Sequence, residues 1–289
     1  MKKNLKLILN EFKITLFYLM PLHLISKITF FLSRIENSFI KNLLIKSYMA
    51  LFKIDLRQYK KKSISDYDNL NDFFIRELDL NFRKNISNEN NIISPCDGTI
   101  SGFGEINDNT FIHAKRHKYN IDQLLNEKND SFSNGKFINI YLEPADCHRI
   151  YIPYDSTLLN MKYISGSLYS VAPYASFGIK QLYSKNERVV LNFKCKSFLM
   201  TIIMIGAVNV GCISLTRHGI VMPAKYKTSS KNISGIENYN NYKKGEEVAM
   251  FNLGSTVIVL ISEIKKSQWC DNINVGQKIL IRDDILKIN

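Results

Sequence analysis

Apolar residues are dense from the start of the chain to about residue 60, with Lys or Arg recurring at intervals (Lys6, Lys13, Lys27, Arg34, Lys41, Lys46) and no glycine. This stretch reads as helical. Pro21 has no backbone donor to continue a helix, so it predicts a break into two helices. Leu24, Ile28, Phe31, Leu32 and Ile35 fall on one helical face. A basic amphipathic helix of this kind can lie in a membrane interface with its apolar side down; the competing reading packs that side on the protein's own core.

Residues 60–91 are polar and charged apart from one apolar knot, Phe73-Phe74-Ile75-Arg76-Glu77-Leu78, and the Asn-rich run 85–91 reads as a loop. From residue 92 the pattern changes to short runs of β-branched and aromatic residues punctuated by Gly, Pro or Asn. Strands are predicted at 136–143, 188–194, 198–205, 208–215 and 255–262, and a polar hairpin or surface loop at 225–245. The expectation is an α+β chain, with a helical segment over 1–60 and a strand-rich body over 61–289.

Composition sharpens this picture in two respects. With 45% hydrophobic and 22% charged residues, the 289-residue chain is that of an ordinary folded protein. Its formal net charge of +13 is not ordinary. A positive field attracts phosphates, whether of nucleic acid or of anionic lipid, although a general bias toward Lys, Asn and Ile supplies part of it. The nucleic-acid reading rests on charge alone. The five cysteines, Cys96, Cys147, Cys195, Cys212 and Cys270, are scattered without CxxC spacing, so reduced thiols and no metal site are expected. Met1-Lys-Lys resembles the opening of a signal peptide, but Asn10, Glu11 and Lys13 interrupt the apolar run. The longest uncharged stretch, 14–26, falls short of the roughly 20 residues needed to span a bilayer and contains Pro21.

Three chemistry-bearing features stand out: Asp97 in an Asp-Gly turn, His148 in Asp146-Cys147-His148-Arg149, and Ser255 in Leu253-Gly254-Ser255-Thr256. A carboxylate, an imidazole and a hydroxyl are the parts that activate a serine. Each is common alone: Asp97 can simply cap its turn, and a lone histidine is often structural. Ile205-Gly-Ala-Val-Asn-Val-Gly211 lacks the GxGxxG spacing of a dinucleotide site, and its glycines fit close backbone approach within a bent sheet. A conventional serine hydrolase is disfavoured because no G-x-S-x-G elbow surrounds Ser255.

Six stretches, in order, resemble the phosphatidylserine decarboxylase proenzymes: Asp72-Phe-Phe-Ile-Arg-Glu-Leu78, Ser94-Pro-Cys-Asp-Gly98, Leu142-Glu-Pro-Ala-Asp-Cys-His-Arg149, Asn186-Glu-Arg-Val-Val190, Ile205-Gly-Ala-Val-Asn-Val-Gly211 and Phe251-Asn-Leu-Gly-Ser-Thr256. The resemblance covers about residues 15–282. It implies that Ser255 attacks the Gly254 carbonyl, severing the chain into a long piece (1–254) and a short one (255–289) headed by a pyruvoyl group made from Ser255. His148, steadied by Asp97, is the implied base, with Tyr151 and Thr256 as auxiliary groups. The implied reaction converts phosphatidylserine to phosphatidylethanolamine, using the pyruvoyl carbonyl as electron sink. Barrel-like or sandwiched sheets follow from the same resemblance; a peripheral seat on the cytoplasmic face of the cell membrane, in contact with anionic lipid but not nucleic acid, is expected from the basic apolar helices together with the implied lipid substrate, and a homodimer is left open. One departure matters. The family pattern carries a second histidine three residues after the first, and Tyr151 stands there; a phenol of normal pKa, near 10, is a poor base at neutral pH. The alternative is therefore a non-cleaving relative that only binds anionic membranes. Cys147 and Cys96 replace a usual tyrosine and alanine, which are milder changes.

Overall fold

The computed structural model describes residues 11, 14–15, 17–86, 88–113, 117–208, 212–221, 229–232, 240–252 and 255–289, with Ser255 described by its backbone. Gly254, residues 4–10, residues 209–211 and most of 225–245 lie outside these.

Pro21 does separate helix from helix. It is the N-cap of α1 (Leu22–Leu32), which leads through a short turn into α2 (Ser38–Phe52). α2 starts where the Asn37 side chain accepts from the backbone N–H groups of Phe39 and Ile40, and it ends at Lys53, whose φ of 53° stops the helix in the left-handed region. The apolar knot forms α3 (Leu70–Phe74), capped by Asn69, with Phe73 and Phe74 buried.

The face predicted from helical spacing points outward. Leu24, Ile28, Phe31 and Leu32 are all at least half exposed, so this stripe does not pack on the protein's own core. Phe39 (78% exposed), Leu43 and Leu51 (73%) extend the apolar surface along α2. No helix among the described residues is long and apolar enough to cross a membrane.

The body is built on a nine-stranded antiparallel sheet. Its order runs Ser229–Asn232, Ser156–Ile164, Arg188–Cys195, Leu199–Ile205, Ser255–Ile261, Lys136–Leu142, Gly98–Glu105, Lys278–Ile279, with Asn241–Tyr242 also on the Ser156–Ile164 edge. Both ends are free among the described residues, so the sheet is open rather than closed into the barrel that the resemblance suggested. A four-stranded sheet carries Gly219–Ile220, Ile213–Leu215, Glu247–Phe251 and Arg149–Tyr151. Of the predicted 208–215 strand, Ile213–Leu215 is a strand and 209–211 lie outside the described residues, while Ser156–Ile164, Gly98–Glu105 and Glu247–Phe251 are strands that periodicity missed.

The Ser255–Ile261 strand lies in the middle of the large sheet, antiparallel to Lys136–Leu142 on one side and Leu199–Ile205 on the other. Val257, Ile258, Val259, Leu260 and Ile261 are wholly buried. Such aliphatic side chains each contribute about 1.5–3 kcal/mol when fully buried, so this strand anchors everything C-terminal to residue 254. Gly98 begins its strand so close to Lys136–Leu142 that a Cβ would lie 2.6 Å from both Ile140 Cγ2 and the Tyr141 carbonyl oxygen. The Asp97-Gly98 pair is therefore a strand entry pressed against its neighbour.

Candidate active site

The site is assembled where the α3 knot and the loop 143–149 meet Phe251-Asn252, at the end of one strand, and Ser255, at the start of the next. Arg76 follows α3, is buried, and stacks over the Tyr59 and Phe73 rings. Its Nη2 donates to the carbonyls of Ala145 (2.6 Å) and Asp146 (3.0 Å). Arg149 returns the bond, donating from Nε to Ile75 O (2.8 Å) while its Nη1 holds both Glu247 carboxylate oxygens at 2.9 and 2.8 Å. Asp146 closes the loop by accepting from the Glu143 N–H (2.8 Å) and pairing with Lys278 Nζ (2.6 Å). The loop is thus held from both ends and from below.

His148 is wholly buried in this frame. Its ring stacks on Phe74 with centroids 4.1 Å apart, and its Nε2 lies 3.1 Å from the Glu143 carbonyl oxygen. A carbonyl only accepts, so Nε2 carries the proton and Nδ1 bears the free lone pair. Nδ1 is buried with no hydrogen-bond partner among the described residues. Burial, reinforced by the nearby Arg76 charge, lowers the His148 pKa to about 3. The ring is therefore neutral at physiological pH, with an unsatisfied acceptor aimed at no described protein group.

Ser255 is tied to this frame through backbone register. It pairs with Leu142, the residue before Glu143, whose carbonyl anchors His148. On the other side of the 253–254 step, the Phe251 N–H donates to the His148 carbonyl (3.0 Å). Asn252 is clamped: its N–H and Nδ2 donate to Cys212 O, its Nδ2 also donates to Ser214 Oγ (3.0 Å), and its Oδ1 accepts from Asn71 Nδ2 (3.3 Å). The backbone is pinned at both ends of Leu253-Gly254, and His148 or its anchor forms part of each pin. Thr256, opposite Tyr141 and Ile205, is fully buried, and its Oγ1 has no partner among the described residues.

Asp97 behaves differently from the expectation that it steadies His148 or caps its turn. Its buried carboxylate pairs with the Arg83 guanidinium and accepts from the Ile281 N–H (2.8 Å). Burial raises its pKa despite the Arg83 charge. No hydrogen bond joins Asp97 to His148; the Asp97–Arg83 pair instead ties the entry of the Gly98 strand to the C-terminal segment at Ile281. Tyr151 donates its backbone N–H to Pro95 O (2.8 Å), and its ring packs in a second apolar cluster with Ile45, Tyr59, Tyr67, Phe73, Leu78, Cys147 and Ile281. Burial raises the phenol pKa further, so Tyr151 is a neutral packing residue. Arg76, Arg149, Asn71 and Asn252 were not given roles from sequence, although Arg76, Arg149 and Asn252 stand inside the quoted stretches 72–78, 142–149 and 251–256.

A cavity of about 390 Å³ opens beside Glu143, lined by Phe52, Lys53, Tyr141, Pro144, Ala145 and Pro173. A second, of about 440 Å³, lies between the α1 entry and residues 167–169, with Tyr18, Leu22, Leu168 and Tyr169 among its walls. Among the described residues no cluster of His, Cys, Asp or Glu could hold a metal ion.

A neutral buried imidazole with a bare nitrogen, in a frame whose backbone is bonded to residues on either side of 253–254, is a group suited to proton transfer. Comparison with known proteins points the same way. The family model described as phosphatidylserine decarboxylase matches residues 70–287, and a second, described as PSD, matches residues 12–53. A phosphatidylserine decarboxylase proenzyme of Francisella tularensis subsp. holarctica is 38% identical over 94% of this chain and 96% of its own length. Proteins of the same name from Legionella pneumophila (34% identical; 91% of this chain, 93% of theirs) and Psychrobacter arcticus (32%; 92% and 94%) are similar along the same span. With nearly the full length of both partners aligned, and with the matched region containing the His148 loop and the Gly254-Ser255 step, the chain belongs to the phosphatidylserine decarboxylase family.

Proposed function

We propose that this chain is a precursor that severs itself between Gly254 and Ser255 and then decarboxylates phosphatidylserine to phosphatidylethanolamine. The observation that carries this reading is the bare, buried Nδ1 of His148, a residue whose backbone carbonyl accepts from Phe251 N–H and whose Nε2 partner, Glu143, follows the Leu142 that pairs with Ser255. A base must take the Ser255 hydroxyl proton as Oγ bonds to the Gly254 carbonyl carbon and the Gly254–Ser255 C–N bond breaks, leaving an ester. Loss of the Ser255 α-proton then expels the Gly254 carboxylate, and hydrolysis of the resulting dehydroalanine releases ammonia. His148 Nδ1 is the acceptor for both protons, and the fixed backbone supplies the proximity that makes attack on a neighbouring carbonyl fast.

The residues present suit a pyruvoyl group at the head of the short chain. Ser255 opens a strand paired on both sides, so a group made there keeps its place, and the unpartnered Thr256 hydroxyl is a donor one residue away. Such a group supplies an electron-withdrawing carbonyl that accepts the electron pair released with carbon dioxide. His148 then holds the proton that returns to the α-carbon, and the stacked Phe74 ring keeps water from that face. The exposed apolar faces of α1 and α2 seat the molecule peripherally on an anionic membrane, at the cytoplasmic face, with exposed Lys27 and Lys46 adding electrostatic attraction. The cavity beside Glu143 is the route by which the headgroup reaches the site.

The test is the mass of the purified protein's fragments. Wild type should yield two chains, with the piece 255–289 blocked by a keto acid, and Ser255→Ala should yield one. A free amino terminus on the short piece, or a Ser255→Ala protein that still cleaves, would end this account. A wild type that binds phosphatidylserine vesicles but stays whole would favour the non-cleaving reading that Tyr151 motivates.

A further inference from the structure

We infer that Arg34 recognises the phosphodiester of the lipid substrate, at the junction between the membrane-facing helix α1 and the 251–255 step. This role rests on the decarboxylase reading above. Arg34 follows α1 directly and is half-buried, with its guanidinium 3.6 Å from the Phe30 ring centroid. Its Nη1 donates to Phe30 O (3.1 Å) and reaches Ser33 Oγ (3.5 Å). Among the described residues Nη2 and Nε have no partner, and no carboxylate pairs with Arg34.

Most of the other buried guanidinium nitrogens are already bonded: Arg76 donates from Nη1 and Nη2 to four backbone carbonyls, with Nε alone unpartnered among the described residues. Arg83 and Arg149 hold carboxylates, and Arg188 donates from all three nitrogens to carbonyls. Among the described residues, the acid that acts on Arg34 electrostatically is the Cys212 thiol, which burial keeps neutral at pH 7. A half-buried guanidinium with a free fork and no counter-ion is a site for a bidentate oxyanion.

Position decides which anion. The Ser33 carbonyl accepts from Asn71 N–H (2.8 Å), and Asn71 Nδ2 donates to Asn252, three residues before Ser255. Asn252 in turn donates to Cys212 O. Arg34 is thus linked to the cleavage step through two side chains, while the exposed Leu24, Ile28, Phe31 and Leu32 stripe of α1 marks the level of the bilayer. The group of phosphatidylserine that lies between acyl chains and serine is the phosphodiester. The leaving carboxylate would be held back by a cation, since charge stabilised in the ground state opposes its loss.

Decarboxylation should be measured per mole of cleaved chain for wild type, Arg34→Ala and Arg34→Lys. The compounds are short-chain phosphatidylserine and O-octyl-L-serine, which keeps the amine and carboxylate but lacks phosphate. Arg34→Ala should raise KM for phosphatidylserine roughly 10- to 100-fold with kcat little changed, as expected for losing a hydrogen bond to a charged group. Its KM or inhibition constant for O-octyl-L-serine should stay put, and Arg34→Lys should recover part of the loss. An unchanged KM for phosphatidylserine, or an equal loss on the phosphate-free compound, overturns the assignment while leaving the decarboxylase reading intact. Inorganic phosphate that inhibits wild type on O-octyl-L-serine but spares Arg34→Ala would give the site to free phosphate and also overturn it. A wild type that never cleaves sinks both.

Discussion

His148 shows how much one side chain's surroundings decide. A histidine in water titrates near pH 6.5; burial takes this one to about 3. Below pH 6.5 the unfolded chain binds a proton that the folded chain refuses. The folded state therefore loses stability as pH falls from about 6.5 toward 3. His148→Gln should flatten that part of a denaturation-versus-pH curve, and an unchanged slope would count against a neutral buried ring. By the same reasoning the rate of self-cleavage should show no inflection near pH 6.5 that depends on His148. The Asp97–Arg83 pair makes a second case. Both side chains are less than 5% exposed, so Arg83→Met strands a carboxylate and should cost about 3–5 kcal/mol in chemical denaturation. Asp97 was recognisable as a candidate from its sequence, but its partner was not. Arg83 lies 14 residues earlier in a polar stretch that reads as loop, and nothing in local spacing says that this loop folds back over the strand entry.

Among the elements, the helical character of the N-terminal stretch, the start of α1 at Pro21 and its apolar face were legible because that face follows a local 3.6-residue rule, whereas the break between Leu32 and Ser38 that separates α1 from α2 was not foreseen. What spacing could not say is whether that face meets protein or lipid; a stripe of Leu and Phe reads the same either way. The exposure of Leu24 and Phe31 shows that they are not packed in the protein's own core, and contact with lipid is the proposal that follows. Leu24→Ser with Phe31→Ser should weaken co-sedimentation with phosphatidylserine vesicles severalfold without lowering thermal stability. A large drop in melting temperature would mean the face is packed after all. The strands were legible where they are continuous aliphatic runs, as at Leu199–Ile205 and Ser255–Ile261. Ser156–Ile164 was missed because Asn160 and Lys162 break its apolar run, and it is recognisable only through its long pairing with Arg188–Cys195.

Taken as a whole, the molecule is wired so that cutting after residue 254 would not release the remainder. The short chain would supply the central Ser255–Ile261 strand, the Lys278–Ile279 edge beside Gly98–Thr99, and the Asp284–Ile288 strand paired with Ile92–Ile93. Cleaved protein should therefore run as a single species on gel filtration in native buffer and part only in denaturant; separation in native buffer would contradict the central placement of that strand.

Local chemistry along the chain was enough to name the helices, the aliphatic strands, the Gly254-Ser255 step and His148 as the group to watch, because propensity, periodicity and motif order are properties of neighbours in sequence. The bare nitrogen of His148, the diversion of Asp97 to Arg83, the packing of Tyr151 and the openness of the large sheet came from contacts between segments tens to hundreds of residues apart. Burial and partner choice are set by those long-range contacts, and they determine which of several chemically competent side chains keeps a reactive atom free.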